Sequence, residues 1–254
     1  MMWQPVSECG PACIDTGGDR LASGRALLRV MSLVGVLMGG LLLVPLLRRA
    51  AVRGVARAVL AALGIRLVWR GPVPRPGSLL VANHVSWLDI VALLAVEPVR
   101  LVAKHDVRQW PVIGVLARLS GSVFLDRTRP RLLPAAVDQV AAALRAGRSV
   151  AVFPEGTTFC GAARGRFRPA MFQAALQAQA PVVPIAIRYD SSAAAFVGDD
   201  TLWNSVRRVA AVRSLTITLV AAPALRPAEG TDRRSLARAA QSCVGVTTAF
   251  GLAA

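Results

Sequence analysis

The stretch LLVANHVSWLD, Leu79 to Asp89, decides the architecture. Its first part, Leu79-Leu80-Val81-Ala82, is a short apolar run without polar alternation, as in a strand buried on both faces. Ser86, followed three residues later by Asp89, is a helix start of the capping-box kind. A buried strand running directly into a helix is the βα unit of a parallel sheet. Asn83 and His84 lie between the two, at the carboxyl end of the strand, where α/β sheets place ligands.

The same alternation continues outward. Apolar runs predict strands over 65–69, 78–82, 99–103, 122–125, 149–153, 182–187 and 215–220. Helical patterns fill 87–95, 111–119, 132–146, 170–178, 201–209 and 234–247. The fold class expected is α/β, a mixed, mainly parallel sheet flanked by helices, over 65–254. Pro184 within its strand predicts an edge or a bulge there.

Ahead of this domain the sequence changes character. Residues 30–47 carry no charge and would make a helix about 27 Å long, close to the thickness of a bilayer core. Arg20, Arg25 and Arg29 precede it, and Arg48, Arg49, Arg53 and Arg57 follow. Gly39-Gly40 and Pro45 weaken a straight span. The segment 20–64 is therefore expected to be membrane-associated, as one helix or as a hairpin with the apolar face of 50–63. The heavier basic flank on its C-terminal side puts the domain in the cytoplasm. Residues 1–19, rich in Gly, Pro and small polar residues, are expected to be a disordered tail.

The formal charge is +16, and Lys104 is the only lysine. That balance suits anionic partners, including an anionic membrane face. With one tyrosine and no aromatic-interleaved RNA motif, a nucleic-acid partner is not expected. The four cysteines, Cys9, Cys13, Cys160 and Cys243, are too scattered for a disulfide framework and fit a reducing compartment. Cys9 and Cys13 resemble half of a metal site, but no second half follows in sequence, so they read as free thiols and no metal is expected.

Asp89 has two roles open to it. It caps the helix, or it bonds one imidazole nitrogen of His84 so that the other takes a proton from a bound hydroxyl. As metal ligands one His and one Asp are too few. Three further stretches bear on the choice. Phe153-Pro154-Glu155-Gly156-Thr157 follows an apolar strand and is either a β-turn or a close-approach ligand loop. Lys104 and Arg127 each follow a strand and could clamp a phosphate between them. Val182-Val183-Pro184-Ile185 says little alone.

Together these stretches resemble the glycerophospholipid acyltransferase family, over about 78–220. Asn83-His84 with Asp89 matches its NHxxxxD motif, and Gly121, Phe124 and Arg127 match its second block. Phe153 to Thr157 matches FPEGT without a change, and Pro184 sits in its fourth block. The resemblance implies a membrane-bound O-acyltransferase of bacterial inner-membrane type. The donor would be acyl-CoA or acyl-carrier protein, and the acceptor a lysophospholipid, first of all 1-acylglycerol 3-phosphate. His84 would be the general base and Asp89 its orienting partner. Lys104, Gly121, Arg127, Glu155, Gly156 and Thr157 would bind substrate, with an apolar cleft beside His84 for the acyl chain. No metal or redox cofactor is implied. The run Thr158-Phe159-Cys160 and the later Phe196-Val197-Gly198-Asp199-Asp200 are closer to relatives acting on other lysolipids, including lyso-ornithine lipid. Two other classes compete: a basic binding protein without catalysis, and a lipid hydrolase using Ser86, for which no GxSxG elbow exists.

Overall fold

Strands form at all seven apolar runs: β1 (Ile65–Arg70), β2 (Leu79–Ala82), β3 (Arg100–Lys104), β4 (Val123–Leu125), β5 (Val150–Val152), β6 (Val182–Tyr189) and β7 (Leu215–Ala221). The computed structural model describes residues 5–15, 17, 19–126 and 128–249, with backbone alone over 44–50 and 247–249. The strands make one sheet in the order β1-β7-β6-β2-β5-β3-β4. All neighbouring pairs are parallel except β6 with β7. The five strands from β6 to β4 therefore share a direction, and their carboxyl ends line one edge.

The helices are α1 (Ser23–Ala62), α2 (Leu88–Val96), α3 (Ile113–Leu119), α4 (Leu133–Arg145), α5 (Phe172–Ala178), α6 (Leu202–Ala211) and α7 (Arg233–Ala249). They cover both faces. Leu80 and Ala82 of β2 pack with Leu88, Ala92 and Leu93 of α2 and with Val206 and Val209 of α6. Leu79 and Val81 point the other way, into a core built with α4, α5 and α7. Every residue of β2 is buried, which is why the run has no polar alternation.

Pro184 sits in β6 between two neighbours, not at an edge. Its carbonyl accepts from Ala222 N–H, one residue past the end of β7. The N–H it lacks would face the chain just past that strand's end, so the ladder within the strand is kept.

The 20–64 segment forms a fold-back. Residues 23–62 are helical throughout, and a straight helix of that length would run about 60 Å. Yet a Cβ at Gly40 would lie 3.0 Å from Val55 Cγ1. Arg29 reaches Gly64 and donates to the carbonyl of Val212 at 2.6 Å. The two arms therefore lie side by side, with the reversal near Pro45, whose ring and missing N–H break helices. Arg53 and Arg57 of the second arm donate from Nε to the carbonyl of Ala95 at the end of α2, at 3.3 and 3.0 Å. On the first arm Leu27, Met31, Val34, Met38 and Leu42 are exposed. Their spacing puts them on one helix face.

The expected disorder of 1–19 does not hold for the residues described. Pro11–Cys13 forms a helical turn, Cys9 is buried, and Asp15 N–H donates to Ser192 Oγ. Cys9 packs against Val85, Ala195 and Val197, an apolar seat that residue composition does not reveal.

Candidate active site

Asp89 caps the helix and also contacts the imidazole of His84. Its Oδ2 accepts from Val85 N–H at 2.6 Å and Ser86 N–H at 2.9 Å, which caps α2. The same oxygen lies 2.8 Å from His84 Nδ1. Its Oδ1 accepts from Tyr189 O–H at 2.5 Å. Two backbone N–H groups, the imidazole and a hydroxyl converge on a fully buried carboxyl group, and an ionised carboxylate can accept from all four. Where Nδ1 donates to Oδ2, Nε2 is left with its lone pair. Burial first, then the Asp89 charge, push Tyr189 well above its ordinary value, so its hydroxyl stays a donor.

The backbone around His84 is held from every side. Its N–H donates to Glu155 Oε2 at 2.6 Å and its carbonyl accepts from Phe159 N–H at 2.8 Å. Val85 carbonyl accepts from Phe196 N–H at 2.9 Å. Asn83 spans to β6, exchanging two bonds with the backbone of Ile187 at 3.0 and 2.7 Å. The imidazole stacks on Phe153 with centroids 4.0 Å apart, and the His84 side chain keeps 18% exposure. A preorganised base that still reaches solvent is what proton abstraction requires.

Glu155 belongs to this scaffold. Phe153 to Gly156 forms the β-turn its sequence suggests, closed by Gly156 N–H to Phe153 carbonyl at 3.0 Å. Glu155 is 3% exposed; Oε2 takes His84 N–H and Oε1 takes Gly165 N–H at 2.9 Å. It braces the two loops instead of facing solvent as a substrate ligand. Burial pushes its pKa up to about 7, against the pull of those two N–H groups. The unfolded chain gives up this proton near 4.5. Between those values the folded protein holds the extra proton, so stability falls as pH rises from about 4.5 to 7 and is level above. Glu155→Gln should be harmful at every pH, because an amide accepts at one end only and leaves a buried N–H facing an NH2. The expected loss is about 1–3 kcal/mol of stability, the cost of an orphaned buried donor, with a lower kcat as the His84 loop loosens. Steady-state kinetics with a melting curve on the variant checks it.

The other candidates are spread along the sheet. Gly156 has φ +78°, and a Cβ there would meet Pro5 Cγ at 2.8 Å. Thr157 is half-buried beside it. Lys104 ends β3, two strands from β2 on the same edge, about 10 Å away at ordinary strand spacing. It is 56% exposed and pairs with Asp106 at 2.5 Å. Arg127, expected as its partner in a phosphate clamp, lies outside the described residues. Gly121 is not brought to the site. It precedes β4, at the amino edge of the sheet, where it has φ +75°. Gly121 N–H bonds Arg118 carbonyl and Ser122 N–H bonds Ala117 carbonyl, a Schellman close to α3 that requires a glycine. A cavity of about 560 Å³, lined by Arg53, Leu60, Leu67, Trp69 and Val96 among others, opens at the far end of α2.

Two contributors escaped the sequence reading. Tyr189 lies 100 positions from Asp89, though it is the chain's single tyrosine and ends a strand. Phe153 belongs to the FPEGT stretch, where nothing marked its ring as the one that stacks on His84. Beside Tyr189 in β6, Arg188 has Nε and Nη2 buried and without a hydrogen-bond partner among the described residues. Burial, then the charges of Arg164 and Arg70, lower its pKa. Ser86 is fully buried, which removes it as a hydrolase nucleophile.

The chain has relatives among known proteins. The family described as Acyltransferase matches residues 66–188. The 1-acyl-sn-glycerol-3-phosphate acyltransferase of Neisseria meningitidis serogroup B is 36% identical, over 74% of this chain and 77% of its own. The chain belongs to the acyltransferase family. It is an O-acyltransferase by the same relationship. Another member, the lyso-ornithine lipid O-acyltransferase of Pseudomonas aeruginosa, is 35% identical over 82% of this chain and 81% of its own. Among solved structures of the family, that of PlsC, the 1-acyl-sn-glycerophosphate acyltransferase of Thermotoga maritima, superposes with a TM-score of 0.69 at 20% identity. The superposition covers 91% of this chain and 99% of that one, so the acyltransferase fold extends through almost the whole molecule.

Proposed function

We propose that this acyltransferase moves a fatty acyl group from acyl-CoA or acyl-carrier protein to the free hydroxyl of a lysophospholipid. The first acceptor is 1-acylglycerol 3-phosphate, giving phosphatidic acid. The observation that carries this is the oriented pair, His84 Nδ1 to Asp89 Oδ2 at 2.8 Å, with Nε2 left as acceptor. Nε2 takes the hydroxyl proton as the oxygen attacks the thioester carbonyl. The C–O bond forms, the C–S bond breaks, and the imidazolium returns its proton to the leaving thiolate. Asp89 stabilises the imidazolium meanwhile. No step passes through an acyl-enzyme or a metal. Glu155 and Tyr189 are positioning residues that act through the His84 loop and Asp89.

A second acceptor, lyso-ornithine lipid, is favoured by the Thr158-to-Cys160 run and by the likeness to the Pseudomonas enzyme. One assay separates the readings. Purified protein in detergent receives acyl-CoA with lysophosphatidic acid, glycerol 3-phosphate or lyso-ornithine lipid in turn. Acyl-carrier protein then replaces the coenzyme. Thioester consumption that requires one acceptor and disappears in His84→Ala supports the proposal and names the acceptor. Release of free fatty acid without acceptor overturns it.

The α1 fold-back is proposed to lie in the outer part of a cytoplasm-facing inner-membrane leaflet. Its first arm, Ser23–Leu43, is long enough to cross a bilayer, with mean hydropathy 2.1. Folding back argues against crossing. The exposed face from Leu27 to Leu42 supplies the apolar contact and the +16 charge the attraction to anionic lipid. Replacing Leu27 and Met31 by serine should lower partitioning onto anionic vesicles about a hundredfold, as two apolar side chains that would bury in lipid are lost without a change of charge. Vesicle flotation measures this, and unchanged flotation would count against the placement.

A further inference from the structure

Three thiols that acyl transfer does not use meet beside the His84 loop. Cys9 and Cys13 come from the N-terminal tail and Cys160 from the loop after FPEGT, and their sulfurs all lie within 4.8 Å of one another. Cys160 N–H donates to Cys9 Sγ at 3.3 Å. A donor aimed at sulfur stabilises negative charge there, as the outer shell of a metal–thiolate centre does. An ion bound at about 2.3 Å to three sulfurs in tetrahedral directions would hold them about 3.8 Å apart. Small side-chain rotations would close the present cluster to that spacing. Among the described residues no further His, Cys, Asp or Glu joins the three, so a fourth position is left to an outside donor.

We propose that Cys9, Cys13 and Cys160 form a thiolate site for a thiophilic metal ion, with Zn²⁺ the ion expected. Thiolates select such ions over hard cations. The second half that Cys9 and Cys13 lack in sequence is thus supplied about 150 residues later. The site clasps the tail to the catalytic loops. Cys9 packs on Val85, next to His84, and Pro5 lies against Gly156, next to Glu155. Each thiol that binds gives up a proton, so affinity falls as the solution is acidified.

The experiment uses the full chain, reduced and stripped with chelator, without substrates, so its outcome is independent of the acyl-transfer reading. Co²⁺ and Zn²⁺ are titrated, the latter against a chromophoric chelator. Expected are one ion per chain, a thiolate-to-cobalt charge-transfer band, and slower hydrogen exchange over residues 5–15 with Zn²⁺ bound. Cys13→Ser and Cys160→Ser should each weaken binding at least a hundredfold, and Cys243→Ser should leave it unchanged. Circular dichroism confirms that each variant is folded. Binding unaffected by Cys13→Ser or Cys160→Ser, or a cobalt complex without the charge-transfer band, would overturn the site. So would a disulfide within the cluster in protein that binds no Zn²⁺ after reduction.

Discussion

His84→Ala should reduce acyl transfer by about 10²- to 10⁴-fold, the usual contribution of a positioned general base. Thioester consumption in the presence of acceptor measures it. The fold should survive. The side chain stacks on Phe153, and losing an aromatic contact costs about 1 kcal/mol. The loop stays held through the backbone N–H and carbonyl of residue 84, bonded to Glu155 and Phe159. A melting temperature lowered by only a few degrees, with activity gone, is the expected pair of results. Activity retained within tenfold would leave Asp89 as a helix cap and nothing more.

Asp89 should show two separate losses. In Asp89→Asn the amide can turn its oxygen to the three N–H groups now bonded by Oδ2 and its NH2 to Tyr189. The cap survives, and the charge that supports the imidazolium is lost. Activity should fall about 10²- to 10⁴-fold with modest loss of stability. In Asp89→Ala the N–H groups of Val85 and Ser86 lose their acceptor in a buried site. Stability should then fall as well, by about 2–4 kcal/mol for two orphaned donors. Urea denaturation of both variants beside their kinetics separates catalytic charge from helix capping. Equal stability of the two would mean that Asp89 does not hold the helix start.

Much of this was legible in the sequence for local reasons. Strands such as β2 are apolar on both faces, so the sheet could be read without knowing its order. His84 and Asp89 are five residues apart, near enough for one turn of chain to bring them together. What was not legible depends on distant contacts. Tyr189 reaches Asp89 only because β6 lies next to β2. The fold-back of α1 rests on Gly40 against Val55 and Arg29 against Gly64. Cys160 meets Cys9 across 151 positions. Glu155 misled in another way: a charged residue in a turn is ordinarily solvated, and here it turns inward to serve two backbone N–H groups. Gly121 misled because the block containing it spans a whole strand, and Gly121 precedes that strand.

The short α2 has a mechanical consequence. Asp89 occupies its first turn, and the Ala95 carbonyl at its other end is gripped by Arg53 and Arg57 of the α1 fold-back. Nine helical residues span about 13 Å, too short and too buried to flex. The element proposed to rest on lipid and the carboxylate that aims the imidazole thus form one stiff lever. Its length is a gauge, setting how far a hydroxyl must rise from the headgroup plane before Nε2 can reach it.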